Sequence, residues 1–120
     1  MLVYKILRQS EWDTLRDTGA LVGAPIDVAD GFVHLSSGEQ VVETAAKHFA
    51  GVDGLMLVAV EAQPLGESLR WEPSRGGALF PHLYRELRMG DVAWSKPLEW
   101  TPDGHRFPEL GEAGDRQGDG

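Results

Sequence analysis

The sequence predicts a small α/β (α+β) domain with two short helices. Three observations carry that reading. Leu2 to Ile6 is rich in β-branched and aromatic residues and reads as an opening strand. Two segments with helix-start signals and apolar residues at helical spacing follow it. Leu55 to Val60 is a continuous apolar run, the pattern of a central strand buried on both faces.

Taken in order, Ser10-Glu11-Trp12-Asp13 resembles a capping box with Ser10 as the cap, and Trp12 and Leu15 share the buried face of the helix that ends at Gly19. Residues 20–30 contain Gly23, Pro25 and alternating small or acidic residues, and are expected to form a loop. Phe32 to Leu35 is a short strand. The second helix is expected to start at Ser37, with Ser37 as cap and Gln40 as its reciprocal partner, and to present Val42, Ala45, Ala46 and Phe49 as its apolar stripe. Leu69 to Glu72 alternates apolar and charged residues as a strand, Pro73 to Pro81 reads as a loop, and Val92–Trp94 and Leu98–Trp100 close the chain as two strand segments. One domain over residues 1–110 accommodates all of these, and residues 111–120, with almost nothing to bury, read as a disordered tail.

Composition narrows the function classes. An apolar fraction of 42% and a charged fraction of 25% are those of an ordinary globular protein. The absence of cysteine excludes disulfides, zinc–thiolate sites and a cysteine nucleophile. The histidines His34, His48, His82 and His105 lack paired-ligand spacing, so no metal site is expected. No secretory leader or membrane-length apolar run is visible, which points to a cytoplasmic protein away from the membrane. A net charge of −8 argues against extended nucleic acid as a partner. The charge is uneven. Residues 99–120 are strongly acidic, whereas residues 70–88 hold Arg70, Arg75, Arg85 and Arg88 against Glu72 and Glu86. Those arginines either hold one small anion or pair with surface acids. Trp94 and Trp100 suit either a core or a patch for weak self-association, so a monomer or weak homodimer is expected.

Two segments carry the candidate chemistry. In Gly31-Phe32-Val33-His34-Leu35-Ser36-Ser37, alternation puts Phe32, His34 and Ser36 on one side, and a helix start after Ser37 would favour an anion. The competing reading makes Ser37 a mere cap and His34 a core hydrogen-bonding group. In residues 70–84, Arg70, Glu72, Arg75, His82 and Tyr84 are interleaved with Trp71 and Phe80, the mixture of aromatic walls and convergent polar groups that a small-molecule pocket needs. Arg75 before Gly76-Gly77 suits a forked contact to carboxylate or phosphate, and Glu72 with His82 suits an acid–base pair. A structural network pinning a long loop is the alternative.

These motifs, Gly31-Phe32-Val33-His34-Leu35-Ser36 with Gln40, Phe80-Pro81-His82-Leu83-Tyr84, and the opening Val3-Tyr4-Lys5-Ile6 with Trp12, resemble the domain-of-unknown-function family 952 over roughly residues 2–98. More distantly, the order strand, short helix, Val33-His34-Leu35-Ser36 strand is similar to the ADP-ribosyltransferase fold and to bacterial tRNA 2′-phosphotransferase-like proteins. That resemblance implies a split, curved β-sheet whose cleft takes NAD or an ADP-ribose-like phosphorylated ligand. It places Tyr4 and Lys5 on the first cleft strand, His34 and Ser36 on the second and Glu72 on a later one. The chain departs from that pattern in carrying Lys5 where a histidine is common, and in lacking an arginine-rich catalytic set. The expectation is a small-molecule-binding protein. Its catalytic candidates are Glu72, His34 and His82; its ligand contacts are Tyr4, Lys5, Ser36, Ser37, Arg70, Trp71, Arg75, Phe80 and Tyr84. The alternative is a non-catalytic domain for a small anionic metabolite or a protein partner.

Overall fold

The computed structural model describes residues 1–110, with the side chain of Arg75 excepted. The expected tail at 111–120 lies outside the described residues. Among those described, ten strands and three helices alternate: β1 (Leu2–Leu7), α1 (Gln9–Thr18), β2 (Ala20–Leu21), α2 (Pro25–Asp30), β3 (Val33–His34), β4 (Ser36–Ser37), α3 (Val41–His48), β5 (Leu55–Glu61), β6 (Leu69–Pro73), β7 (Leu79–Leu83), β8 (Leu87–Arg88), β9 (Val92–Thr101) and β10 (Gly104–Arg106). All strand pairs are antiparallel. They make a five-stranded sheet ordered β10-β9-β5-β1-β4, a three-stranded sheet ordered β3-β7-β6, and the pair β2-β8. The fold is thus the expected mixed α/β domain, with a curled sheet and few short helices.

The apolar run in β5 lies at the centre of the large sheet and feeds both faces. Val58 and Val60 join Val3, Leu7, Trp12, Leu15 and Leu83 in one core, while Leu55, Leu57 and Ala59 join Tyr4, Ile6, Val41, Ala45 and Leu98 in the other. Period-two alternation along β1 and β5 supplies alternate residues to opposite cores, so neither strand has a solvent face.

Several boundaries differ from the sequence reading, each for a local reason. The helix α1 starts at Gln9 because the Arg8 N–H donates to Glu11 Oε1 at 2.9 Å; the capping partner is Arg8, not Ser10. Residues 20–30 are no loop: β2 and α2 lie there, with Pro25 at the helix start and Gly31 at its end in the left-handed region, φ 86°. Ser36 and Ser37 are extended because they pair with Tyr4 and Val3, so α3 begins at Val41 and not after Ser37. Gln40 Oε1 does accept from the Ser37 N–H at 3.0 Å, but within a turn preceding the helix. The later start rotates the stripe: Val41 and Ala45 are buried, with Phe49 half-buried, while Val42 and Ala46 are exposed. The loop expected at 73–81 ends early, since β7 begins at Leu79 and runs through Pro81, whose carbonyl accepts from the Leu35 N–H at 3.0 Å. The two closing segments are one strand, β9, running through Pro97 where β10 does not cover its outer edge.

Leu83 is fully buried on β7 between Val33 of β3 and Leu69 of β6. Leu83→Ala is expected to cost about 2–5 kcal/mol through lost transfer energy and a residual cavity. A urea midpoint lowered at unchanged slope checks it.

Candidate functional site

The two larger sheets part at Leu35. On its C-terminal side Ser36–Ser37 pair with β1; on its N-terminal side Val33–His34 pair with β7. Beyond Tyr4, β1 has no strand on that edge, because β4 pairs only with Val3 and Tyr4. The result is a cleft of about 550 Å³ whose walls include Tyr4, Lys5, Asp27, His34, Ser36 and His82.

Asp27, on α2, is the centre of this split. Its side chain is wholly enclosed, at 1% exposure, and accepts four hydrogen bonds. Lys5 Nζ and the Ala24 N–H donate to Oδ2 at 2.8 and 2.7 Å, and the His34 N–H donates to Oδ1 at 3.0 Å. His34 Nδ1 also meets Oδ1. Lys5 Nζ in turn donates to the His34 carbonyl at 3.0 Å. The edge of β3 that lacks a strand partner is therefore satisfied by an ion pair, its N–H by the carboxylate and its C=O by the ammonium. Burial pushes the Asp27 carboxyl upward, but the Lys5 charge and hydrogen bond and the His34 donors outweigh it and hold it below the usual carboxylate range. Gly23 makes room for this carboxylate: with φ 121°, a Cβ there would stand 2.5 Å from Asp27 Oδ2.

His34 is held at both ends, since Nε2 lies 3.0 Å from Asp30 Oδ2 on the next turn of α2. Across the β3–β7 pair, His34 and His82 are direct neighbours, with ring centroids 5.6 Å apart. His82 is 4% exposed, its ring stacked on Phe32 at 4.1 Å. Its Nδ1 meets Glu72 Oε1 at 2.8 Å, and the same oxygen accepts from the Tyr84 hydroxyl at 2.7 Å. The Tyr84 hydroxyl and then His82 hold the Glu72 carboxyl below its ordinary value; the same bond raises the Tyr84 phenol.

Of the sequence-derived candidates, the structure brings Tyr4, Lys5, His34, Ser36, Phe80 and His82 to the cleft. Glu72 and Tyr84 stand behind His82 rather than on the cleft wall, and Arg70 lies 5.1 Å over the Tyr84 ring. Trp71 and Ser37 are also off the wall. Among the other arginines of the basic stretch, Arg85 makes a two-pronged pair with Asp91 at 2.8 and 3.0 Å, and Arg88 reaches Glu86 at 3.4 Å. The side chain of Arg75 lies outside the described residues. Sequence reasoning missed Arg8, Asp27, Asp30, Thr44 and Phe49, all on the cleft. The run Pro25-x-Asp27 closing on Gly31 was the available signal, a helix start and stop over six residues.

A family model described as protein of unknown function (DUF952) matches residues 6–95. The chain belongs to this family. Its fold recurs in protein CC0527 from Caulobacter crescentus. The X-ray structure of CC0527 is 54% identical, covers 88% of this chain and 92% of its own, and superposes with a TM-score of 0.84. The solution NMR structure of CC0527 is 55% identical over 87% of this chain and 90% of its own, with a TM-score of 0.78. No curated protein matches the sequence. Among the described residues, no helix is long and apolar enough to cross a membrane.

Asp27→Asn leaves the Lys5 ammonium enclosed beside a neutral amide and is expected to destabilise this DUF952 protein by about 3–5 kcal/mol. The double variant Lys5→Met/Asp27→Leu removes the enclosed charge but leaves the Ala24 N–H and the His34 N–H and C=O without partners, so it is expected to recover only a minor part of that loss, and urea unfolding of the three proteins checks the order. Because the folded carboxyl of Asp27 sits below its unfolded value near 3.8, its stabilisation is complete above that pH and lost as pH falls through the folded value. Melts between about pH 5 and pH 2 should show a component of acid destabilisation in the native protein that the double variant lacks.

Proposed function

We propose that this protein binds a small anionic, nucleotide-like molecule of the NAD or ADP-ribose class in the cleft at the sheet split. The observation that carries the reading is Arg8. It stands on the cleft with its guanidinium 4.9 Å over the Phe49 ring and, among the described residues, without an ion-pair partner. The cleft walls also carry Glu11, Asp27 and Asp30, and Lys5 is spent on Asp27, so a guanidinium outside any described ion pair, beside an aromatic platform, is the group there suited to hold an anion. In this reading Arg8 takes phosphate, Phe49 or Phe80 stacks on a planar ring, and Tyr4, Ser36 and His34 contact the remainder. The volume is that of a small-molecule pocket, and its walls mix charged and polar side chains with Tyr4, Phe49 and Phe80. A sheet that parts beside Val33-His34-Leu35-Ser36 supports the ADP-ribosyltransferase-like comparison.

Binding without turnover is the second reading, and His34 favours it. Both of its ring nitrogens are engaged by Asp27 and Asp30, which leaves neither to move a substrate proton while those contacts stand.

Thermal unfolding with ADP-ribose and with NAD tests the proposal. At about 1 mM ligand and a Kd of about 0.1 mM, linkage gives a rise in melting temperature of about 4–8 °C. Arg8→Gln is expected to abolish most of that rise. No rise with either ligand in the native protein overturns the nucleotide reading.

A further inference from the structure

The split in the sheet leaves one rung of a ladder without its other half. The Ala62 N–H donates to the Met1 carbonyl at 2.9 Å, and the register then runs unbroken from Leu2–Glu61 to Leu7–Met56. Hydrogen-bonded residues alternate along an antiparallel pair, so Val3, Lys5 and Leu7 turn their N–H and C=O toward β5, and Tyr4 and Ile6 turn theirs to the opposite edge. Arg8 keeps the same phase, its N–H given to Glu11 Oε1. On that opposite edge Tyr4 meets Ser36, and the same register carried two residues further would set Ile6 against His34. It does not continue: β3 pairs with β7, and the His34 N–H and C=O are taken by Asp27 and Lys5. Ile6 is left with an N–H and a C=O side by side on the edge where the cleft opens, and it is one of the residues lining that cleft. Among the described residues neither group has a hydrogen-bond partner.

We propose that the Ile6 backbone reads the base of the bound nucleotide, its C=O accepting from the adenine amino group and its N–H donating to the neighbouring ring nitrogen. The inference rests on the cleft being the ligand site and names the part of the ligand that its β1 edge takes. Ile6 is 6% exposed, and backbone groups so nearly enclosed cost a lost hydrogen bond apiece, which a planar donor–acceptor edge restores for both at once. The charges on the walls favour a neutral group there. Lys5 and Arg8 share the cleft with Glu11, Asp27 and Asp30; Asp27 is held by Lys5, Asp30 meets His34 Nε2, and Glu11 Oε1 takes the Arg8 N–H. An amino group beside a ring nitrogen brings no net charge into that mixture. The spacing fits as well. Arg8 stands two residues beyond Ile6 on the same side of the chain, about 7 Å along the extended backbone. Its guanidinium lies over Phe49, which packs against the core that holds Ile6. The base and 5′-phosphate of one mononucleotide can thus reach Ile6 and Arg8 together.

Three probes test it, each titrated into the ¹⁵N-labelled full chain: adenosine 5′-monophosphate, purine riboside 5′-monophosphate, which lacks only the amino group, and adenosine, which lacks only the phosphate. Adenosine 5′-monophosphate is expected to move the Ile6 amide proton downfield, and to move the Lys5 and Leu7 amides, bonded to β5, much less. It is expected to bind about tenfold more tightly than purine riboside 5′-monophosphate, the worth of one added hydrogen bond. Ile6→Val, which trims the side chain and keeps the backbone, is expected to leave that preference intact. Equal binding of the two nucleotides, an Ile6 amide that adenosine 5′-monophosphate leaves in place, or a preference lost in Ile6→Val overturns the inference, while the nucleotide reading stands on the binding itself. Binding of neither nucleotide overturns both. Adenosine that binds as tightly as its 5′-monophosphate and moves Ile6 alike overturns the anion reading alone.

Discussion

A carboxylate placed where a strand should be holds this fold open. The β3 backbone at His34 turns its N–H and C=O toward β1, yet the two strands do not pair; Asp27 and Lys5 fill the gap with one acceptor and one donor. Unpaired backbone groups at such a depth cost as much as a lost hydrogen bond apiece, so without the ion pair the sheets would have to close on each other or admit water. A bare ion pair in the interior is weak support for stability, because desolvation offsets much of its attraction. Here both charges are also spent on backbone and ring partners, leaving Asp27 with four contacts and Lys5 with two. The cleft exists because this cluster substitutes for a ladder.

Much of the scaffold was legible from pattern, and little of this cluster was. The β5 run, the buried pair Trp12 and Leu15, and the alternation at Val33, His34 and Leu35 follow from periodicities of two and 3.6, which local sequence carries. Asp27 was passed over because its burial comes from a partner 22 positions earlier, and no local pattern encodes that distance. The same holds for Ser37. Its neighbours spell a helix cap, and Gln40 does fold back onto it, but pairing with Val3 keeps the serine extended. Tertiary pairing overrode local propensity at the very residues where a helix start had suggested an anion site.

The mixture of charge and aromatics in residues 70–84 is real, and the sheet sorts it into layers that sequence cannot show. His82 is buried within β7, whereas Tyr84, just past the end of that strand, and Trp71 on β6 are exposed, and Glu72 bonds to both His82 and Tyr84. Arg85 is absorbed by Asp91 and Arg70 by the Tyr84 ring, so most of the basic stretch is internally compensated. Among the described residues, the cation on the cleft outside any ion pair is Arg8, which a scan for charge clusters passes over because it stands between β1 and α1.

His34 and His82 occupy one cross-strand pair, each beside a carboxylate, yet their surroundings make them chemically different. The six-residue helix α2 passes His34 on two sides, so Asp27 and Asp30 claim both ring nitrogens and the ring becomes a strut of the split. Glu72 reaches His82 from one side only, with Phe32 on the ring face, and the second nitrogen is left without a partner. A substitution that shifted α2 would disturb the first histidine directly and reach the second only through Phe32, because the Glu72–His82 contact itself is carried by β6 and β7. Two identical side chains are thus given different surroundings by the elements that flank them. The division is written in the topology, since β3 borders the split and β7 lies one strand further in.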